Sequence, residues 1–445
     1  MSKSMTQGNA AKLILLFSLP IMAGNFLQQL YNTADSIIVG RFVSQSALAS
    51  VGTCAPLTML FIALAIGFST GGSIIVSQYF GAQKLEDMRK SVATSLIMIF
   101  LIGFVLSVVG VATSRILLRD LLAVPESALE EAVTYMTIYC CGLVFQFTYN
   151  SVAAVLRSLG DSKATLYFLL ISSVINIVLD LVLIINFNLG VAGAALATIF
   201  SQFVSAVVSL FYMFKKYEML RFAKGEFRMD KEKLIMITKT GIVTTVQQCV
   251  VSMGHILIQR VINSFGTDLM TAVTAAGRVE NYVLIPIFGF QAGMSTFTAQ
   301  NVGAKQTDRV IEGYKRTLVM VVICCAAVVA LIMVAAKPLI GIFGVEGRAM
   351  ELGIQYLRCL TPFFVLFGFY MCTAALLQGS GDVFYAMLCT MFSLFLRIVL
   401  TYLLAYNTPL EYTAIWWAQA TGWFLCSGMA FVRFKLGTWK KKALI

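Results

Sequence analysis

Apolar residues run along this chain in long unbroken stretches separated by short polar ones. A first run, 13–34, lies between Lys12 and Asp35. Further charge-free stretches cover 42–83, 91–114, 132–156, 164–179, 181–214, 240–254, 281–304, 317–336, 359–381, 383–396, 398–410 and 412–432. A helix that spans a bilayer needs about 20 mostly apolar residues. Joining runs split by a single charge predicts twelve such helices, near 13–40, 48–77, 92–114, 132–156, 164–186, 190–214, 239–262, 270–300, 317–336, 354–378, 384–405 and 412–432. The first run is longer than the roughly 7–15 residues of a signal-peptide core, so it is expected to stay as a helix.

Composition agrees with this pattern. Of 445 residues, 59% are apolar and 12% charged, where a globular domain carries about 25% charged residues. No water-soluble fold has that balance, and the expected solvent is lipid. Ten cysteines lie almost entirely within apolar runs and read as small membrane-helix residues. With no Cys-x-x-Cys pair and His255 as the one histidine, a zinc ribbon or a redox pair is excluded.

The net charge of +12 is a topology signal rather than a nucleic-acid footprint. Of the 33 lysines and arginines, 24 fall in the two tails and the even-numbered loops. The positive-inside rule makes that side cytoplasmic. Both termini are then expected in the cytoplasm, in a multi-pass protein of the cytoplasmic membrane with no nucleic-acid partner.

The chain also repeats itself at an offset near 221. Gly67-Phe68-Ser69-Thr70-Gly71-Gly72-Ser73 and Gln78-Tyr79-Phe80-Gly81-Ala82 answer Gly289-Phe290-Gln291-Ala292-Gly293-Met294-Ser295 and Gln300-Asn301-Val302-Gly303-Ala304. Leu156-Arg157-Ser158-Leu159-Gly160-Asp161 answers Leu377-Gln378-Gly379-Ser380-Gly381-Asp382, and Asn176-Ile177-Val178-Leu179-Asp180 answers Arg397-Ile398-Val399-Leu400-Thr401. Six helices per half put both halves the same way up, as parallel repeats about an axis along the membrane normal. The expected layout is an N-lobe over 1–214, a cytoplasmic linker over 215–238 containing Lys215, Lys216, Arg221, Lys224, Arg228, Lys231 and Lys233, and a C-lobe over 239–445. A central cleft is expected between the lobes.

With twelve spans in six plus six, Leu19-Pro20 and Ala34-Asp35 on helix one, the Gly-Ala segments at 81–82 and 303–304, Arg157 to Asp161, Asn176-x-x-x-Asp180, and Arg278-Val279-Glu280 with Pro286 on helix eight, the sequence resembles the multidrug and toxic compound extrusion (MATE) transporters over almost its whole length. The resemblance implies the MATE fold, an all-α membrane protein of two pseudo-symmetric six-helix bundles. It also implies export of amphipathic, often cationic organic molecules by antiport against sodium ions or protons, with no covalent cofactor and no enzymatic step. A monomer is expected. Composition and periodicity by themselves give a two-lobed membrane transporter.

Charges left inside the membrane call for a reason, because an ionised carboxylate at mid-bilayer costs at least about 2.5–3.5 kcal/mol. Asp35, Asp180 and Glu280 are the three acids. Counted at about 1.5 Å per residue, Asp35, Asp180 and Thr198 share the outer third of the bilayer. Asn176 and Asp180, four apart, stack on one helix face. With Asp35 and Thr198 they make an all-oxygen cage suited to a hard monovalent cation or, with one acid protonated, to a proton. All four match the N-lobe cation site of the DinF-like MATE branch. The alternatives are aspartates that only bond neighbouring backbone, and a Thr198 hydroxyl turned to its own helix.

Glu280, near mid-bilayer on helix eight, is expected to face the cleft. There it either attracts cationic substrates or forms a buried structural pair with Arg397 of helix eleven. The other well-known MATE branch takes acids from helices seven and ten for sodium. This chain has Gln247 and Gln248 on helix seven and no acid between Arg358 and Asp382, which favours the N-lobe site. Gln28, Tyr31, Tyr149 and Met253 join these as substrate-cleft candidates, with Phe145, Met59 and Phe68 as further adaptable apolar contacts. His255 reads either as a proton switch or as a packing residue. A lipid-linked precursor flippase of the same superfamily is the alternative function. It needs a strongly basic cleft, for which only Arg278 and Arg397 are available.

Overall fold

The computed structural model describes residues 4–122, 124–223 and 225–445, and every regular element among them is helical. Lys224, one of the expected linker bases, lies outside the described residues. Contacts divide the chain into two compact units, one built on Ala23–Thr245 and the other on Met5–Met22 with Val246–Ile445.

The helices are α1 (Ala10–Phe42), α2 (Gln45–Thr53), α3 (Ala55–Gly81), α4 (Leu85–Ile116), α5 (Glu126–Cys141), α6 (Leu143–Ser158), α7 (Ser162–Leu181) and α8 (Gly190–Lys216). They continue as α9 (Lys231–Ser264), α10 (Thr267–Val283), α11 (Ile285–Gly303), α12 (Thr307–Gly341), α13 (Gly347–Leu360), α14 (Phe364–Ser380), α15 (Val383–Asn407) and α16 (Ala414–Lys435). They fall along the chain in the expected stretches, and four of those stretches are broken in two. The breaks have local causes. Pro56 and Pro286 stand in the first turns of α3 and α11, where a missing N–H costs nothing. Pro362 sits in the short 3-10 turn between α13 and α14. At Gly142 the chain bends by 46° between α5 and α6, and a side chain there would strike Ile199 of α8.

Among the described residues, nine helical stretches are long and apolar enough to cross a membrane, and α5 with α6 makes a tenth if the bent pair is one span. The two remaining stretches are more polar. The α10–α11 stretch carries Asp268, Arg278, Glu280, Gln291, Gln300 and Asn301, and α16 carries Gln419, Thr421, Ser427 and Arg433. Many of these groups are spent on hydrogen bonds inside the protein rather than offered to lipid.

Each unit shows the same packing scheme. In the first, α6 lies against α3, α4 and α8, and α7 against α8; in the second, α14 lies against α11, α12 and α16, and α15 against α16. The duplicated Gly-Asp turns are built alike. Gly160 and Gly381 both adopt positive φ, 83° and 98°. The Asp161 and Asp382 amides each donate to the carbonyl five residues back, on Leu156 and Leu377, at 2.9 Å. This is the Schellman ending that favours glycine. Past the turn, Asp161 caps α7 by accepting from the Ala164 amide at 3.2 Å, and its other oxygen accepts from Tyr212, Lys216 (2.8 Å) and Tyr217 (2.7 Å). Asp382 is gripped by Arg433, Nε at 2.7 Å and a terminal nitrogen at 3.3 Å. In both units the aspartate ties the start of one helix to a base at the end of the next.

Candidate functional site

In the first unit, α1 supplies Asp35, α7 supplies Asn176 and Asp180, and α8 supplies Thr198. Asp180 and Asn176 are buried, with 0% and 1% of their surface exposed. The Asp35 and Asp180 carboxyls are close enough to interact directly. With both acids ionised, no hydrogen-bond partner satisfies Oδ1 of Asp35, either carboxylate oxygen of Asp180, or the amide oxygen and nitrogen of Asn176; with a proton on one of them, the two carboxyls can bond each other. Five buried polar atoms on three side chains are thus left unmet in one neighbourhood. Each such atom costs about 1–3 kcal/mol, more when charged, and two carboxylates in contact cannot both stay ionised without a cation between them.

The Thr198 hydroxyl donates to the Ala194 carbonyl at 3.0 Å, which turns its proton into the helix and leaves only its lone pairs to offer. Two tyrosines lie within electrostatic range of the acids, with two more nearby along α5 and α6. Tyr31 interacts electrostatically with Asp35, Asp180 and Tyr149, and Tyr135 interacts with Asp35 and Tyr31. The Tyr139 hydroxyl donates to Gln146 at 3.1 Å, and Tyr149 reaches the Thr165 carbonyl at 3.5 Å. Tyr135 and Tyr139 escaped the sequence reading, because α5 is too polar at its start to mark which of its residues turn inward. Gln28 is exposed on α1.

The second unit treats its acid differently. Tyr356 donates to one Glu280 oxygen at 2.8 Å, and Gln419 donates to the other at 3.3 Å. Gln419 in turn accepts from Arg397 at 2.7 Å. Glu280 and Arg397 are therefore not a direct ion pair; the amide of Gln419 stands between them, one face to each charge. Gln419 and Tyr356 were not singled out from the sequence, where a glutamine and a tyrosine among apolar neighbours carry no charge signal.

Gln247 is buried and spent: it donates to Thr390 at 2.6 Å and accepts from Gln378 at 3.1 Å, so it belongs to the packing of that unit. Gln248 is half-buried and Met253 is 63% exposed. His255 lies within electrostatic range of Arg397. Among the described residues no three acids, histidines or cysteines converge as a transition-metal site requires.

Comparison with known proteins agrees with this architecture. The sequence model of the MatE family matches residues 20–182 and 244–403. The chain is similar to the probable multidrug resistance protein YpnP of Bacillus subtilis (strain 168), with 30% identity over 441 residues covering 99% of this chain and 98% of that one. It is also similar to the probable multidrug resistance protein YoeA of the same organism, with 29% identity over 437 residues covering 96% and 94%. Among solved structures it is similar to the outward-facing conformation of a multidrug resistance MATE family transporter of the MOP superfamily, at a TM-score of 0.92, 27% identity and 99% coverage of both chains. With both halves matched over most of their length, the chain belongs to the MatE family of multi-pass membrane transporters.

Proposed function

We propose that the protein exports amphipathic, often cationic organic compounds across the cytoplasmic membrane, by alternating access, in exchange for sodium ions or protons. The coupling ion is held by Asp35, Asn176 and Asp180, with the Thr198 oxygen as a fourth donor. Both termini and the 215–238 linker face the cytoplasm, and the protein works as a monomer. The observation that carries this reading is the set of five unmet polar atoms on Asp35, Asn176 and Asp180. A buried oxygen-rich cluster is costly when empty and suits a hard monovalent cation, or a proton shared between the acids. A cation drawn into it neutralises the pair and favours whichever arrangement of α1 brings Asp35 in. Pro20 inside α1 removes one backbone hydrogen bond and permits that helix to bend. The names of the relatives support multidrug compounds as the cargo.

The test is uptake of a fluorescent organic cation into inverted vesicles under an imposed sodium or proton gradient. Wild type takes up the dye, and Asp35→Asn and Asp180→Asn each lose at least about tenfold in ion-driven rate, since each removes one of the two charges that bind the ion. Wild-type uptake by both variants places coupling elsewhere. Uptake of a lipid-linked precursor in place of the dye makes the protein a flippase.

A further inference from the structure

Helix α15 carries the second unit's counterpart of the Asn176–Asp180 pair: Arg397 and Thr401, again four residues apart and so on one helix face. The chemistry is reversed. In the first unit the pair presents chiefly acceptors with nothing to accept. In the second it presents donors, two of which, Arg397 Nε and the Thr401 hydroxyl, have nothing to donate to. Arg397 Nε is buried without an acceptor, and Thr401, 0% exposed, has an unpartnered hydroxyl. The Trp416 indole N–H, on the adjacent helix α16, is buried and unmet as well.

The guanidinium is engaged at one end through Gln419, and among the described residues no carboxylate lies within 4.0 Å of it. Glu280, the acid that balances its charge across Gln419, has both oxygens occupied. An unmet donor on a buried cation is costly, and the flat fork of a guanidinium matches a carboxylate.

We propose that Arg397, with Thr401 beside it, forms an anion subsite. It receives a carboxylate or another anionic acceptor, carried by the transported compound or arriving as a free anion such as chloride. This rests on the transport reading above and adds to it a preference for zwitterionic over purely cationic cargo.

The test uses the full-length protein purified in detergent, a zwitterionic fluoroquinolone, and its carboxyl methyl ester, which keeps the amine and loses the anion. Wild type binds the acid about tenfold more tightly than the ester, a difference of one good charge-assisted contact. Arg397→Gln levels the two by weakening the acid alone, and Thr401→Val, which keeps every charge, narrows the gap. If a free anion fills the subsite instead, acid and ester bind alike, and added chloride raises the thermal unfolding midpoint of wild type but not of Arg397→Gln. Equal affinities with no chloride response, or an Arg397→Gln protein that weakens both ligands equally, overturn the proposal. Ion-driven uptake of a permanently cationic dye by wild type separates the two claims: a protein that transports the dye, treats acid and ester alike and shows no chloride response has the transport function without the anion subsite.

Discussion

The two units share a packing scheme and differ at the heart of it. At one pair of equivalent positions the first unit places an amide and a carboxylate, Asn176 and Asp180; the second places a guanidinium and a hydroxyl, Arg397 and Thr401. The first unit leaves its acids unmet, while the second surrounds Glu280 with Tyr356 and Gln419. A polar cluster that is fully bonded stiffens a structure, and one that is not is available for a ligand. Duplication has kept the scaffold, and substitution has made one copy acceptor-rich and the other donor-rich.

That contrast is broken most directly at the acids. Exchanging Asp180 for Asn removes a charge the unit leaves uncompensated, so folding is unharmed or improved while ion-driven transport falls at least about tenfold. Exchanging Glu280 for Gln disturbs a bonded network. Stability drops by about 1–3 kcal/mol because one of the two donors, from Tyr356 or Gln419, then faces an amide N–H. Unfolding midpoints measured beside uptake rates separate the two patterns. Equal stability losses in both variants sink the comparison.

A second asymmetry lies in the duplicated glycines. A Cβ on Gly71 would come within 2.6 Å of the Gly241 backbone of α9, and one on Gly67 within 2.5 Å of the Thr245 backbone. The counterpart of Gly71, Gly293, meets the Ser18 side chain of α1 most closely instead, and that of Gly67, Gly289, meets the Met22 side chain. Backbone cannot move aside and a methionine side chain can. Gly67→Ala therefore costs about 3 kcal/mol, and its counterpart Gly289→Ala about 1 kcal/mol, as read from thermal unfolding of the purified variants. Equal losses at the two positions contradict the packing described here.

Much of this was legible in the sequence. The apolar runs placed the helices, and the offset near 221 revealed the duplication, including the Asn176–Asp180 and Arg397–Thr401 correspondence. Charge inside apolar runs picked out Asp35, Asp180, Glu280 and Arg397. What stayed hidden were neutral partners. Gln419, Tyr356, Tyr135 and Tyr139 carry no charge to betray them, and the bridge from Glu280 to Arg397 depends on which faces of three helices meet. Gln247 misled for the same reason: a glutamine on a membrane helix looks alike whether it lines an open surface or bonds Thr390 and Gln378. The breaks in α2–α3 and α10–α11 sit beside prolines, but a proline in a long apolar run does not say whether the helix bends or stops.

The turns at Asp161 and Asp382 give the finest contrast. Asp382, 4% exposed, holds Arg433 through two hydrogen bonds, so Asp382→Asn is expected to cost about 3 kcal/mol. Asp161 holds Lys216, a third of whose side chain is in solvent, and Asp161→Asn is expected to cost about 1 kcal/mol. Burial pushes the Asp161 carboxyl up, but hydrogen bonds from Lys216, Tyr217 and the Ala164 amide outweigh it and hold the group below the ordinary carboxylate range. A carboxyl depressed in the folded state stabilises fully above its unfolded value, near pH 4, and that contribution drains away as pH falls toward the folded one. Between pH 7 and pH 5 the difference in unfolding midpoint between wild type and Asp161→Asn should thus stay constant, and it should shrink below pH 4. A difference that already closes between pH 7 and pH 5 means the carboxyl is not held low, and the clamp at the first turn is then no tighter than solvent.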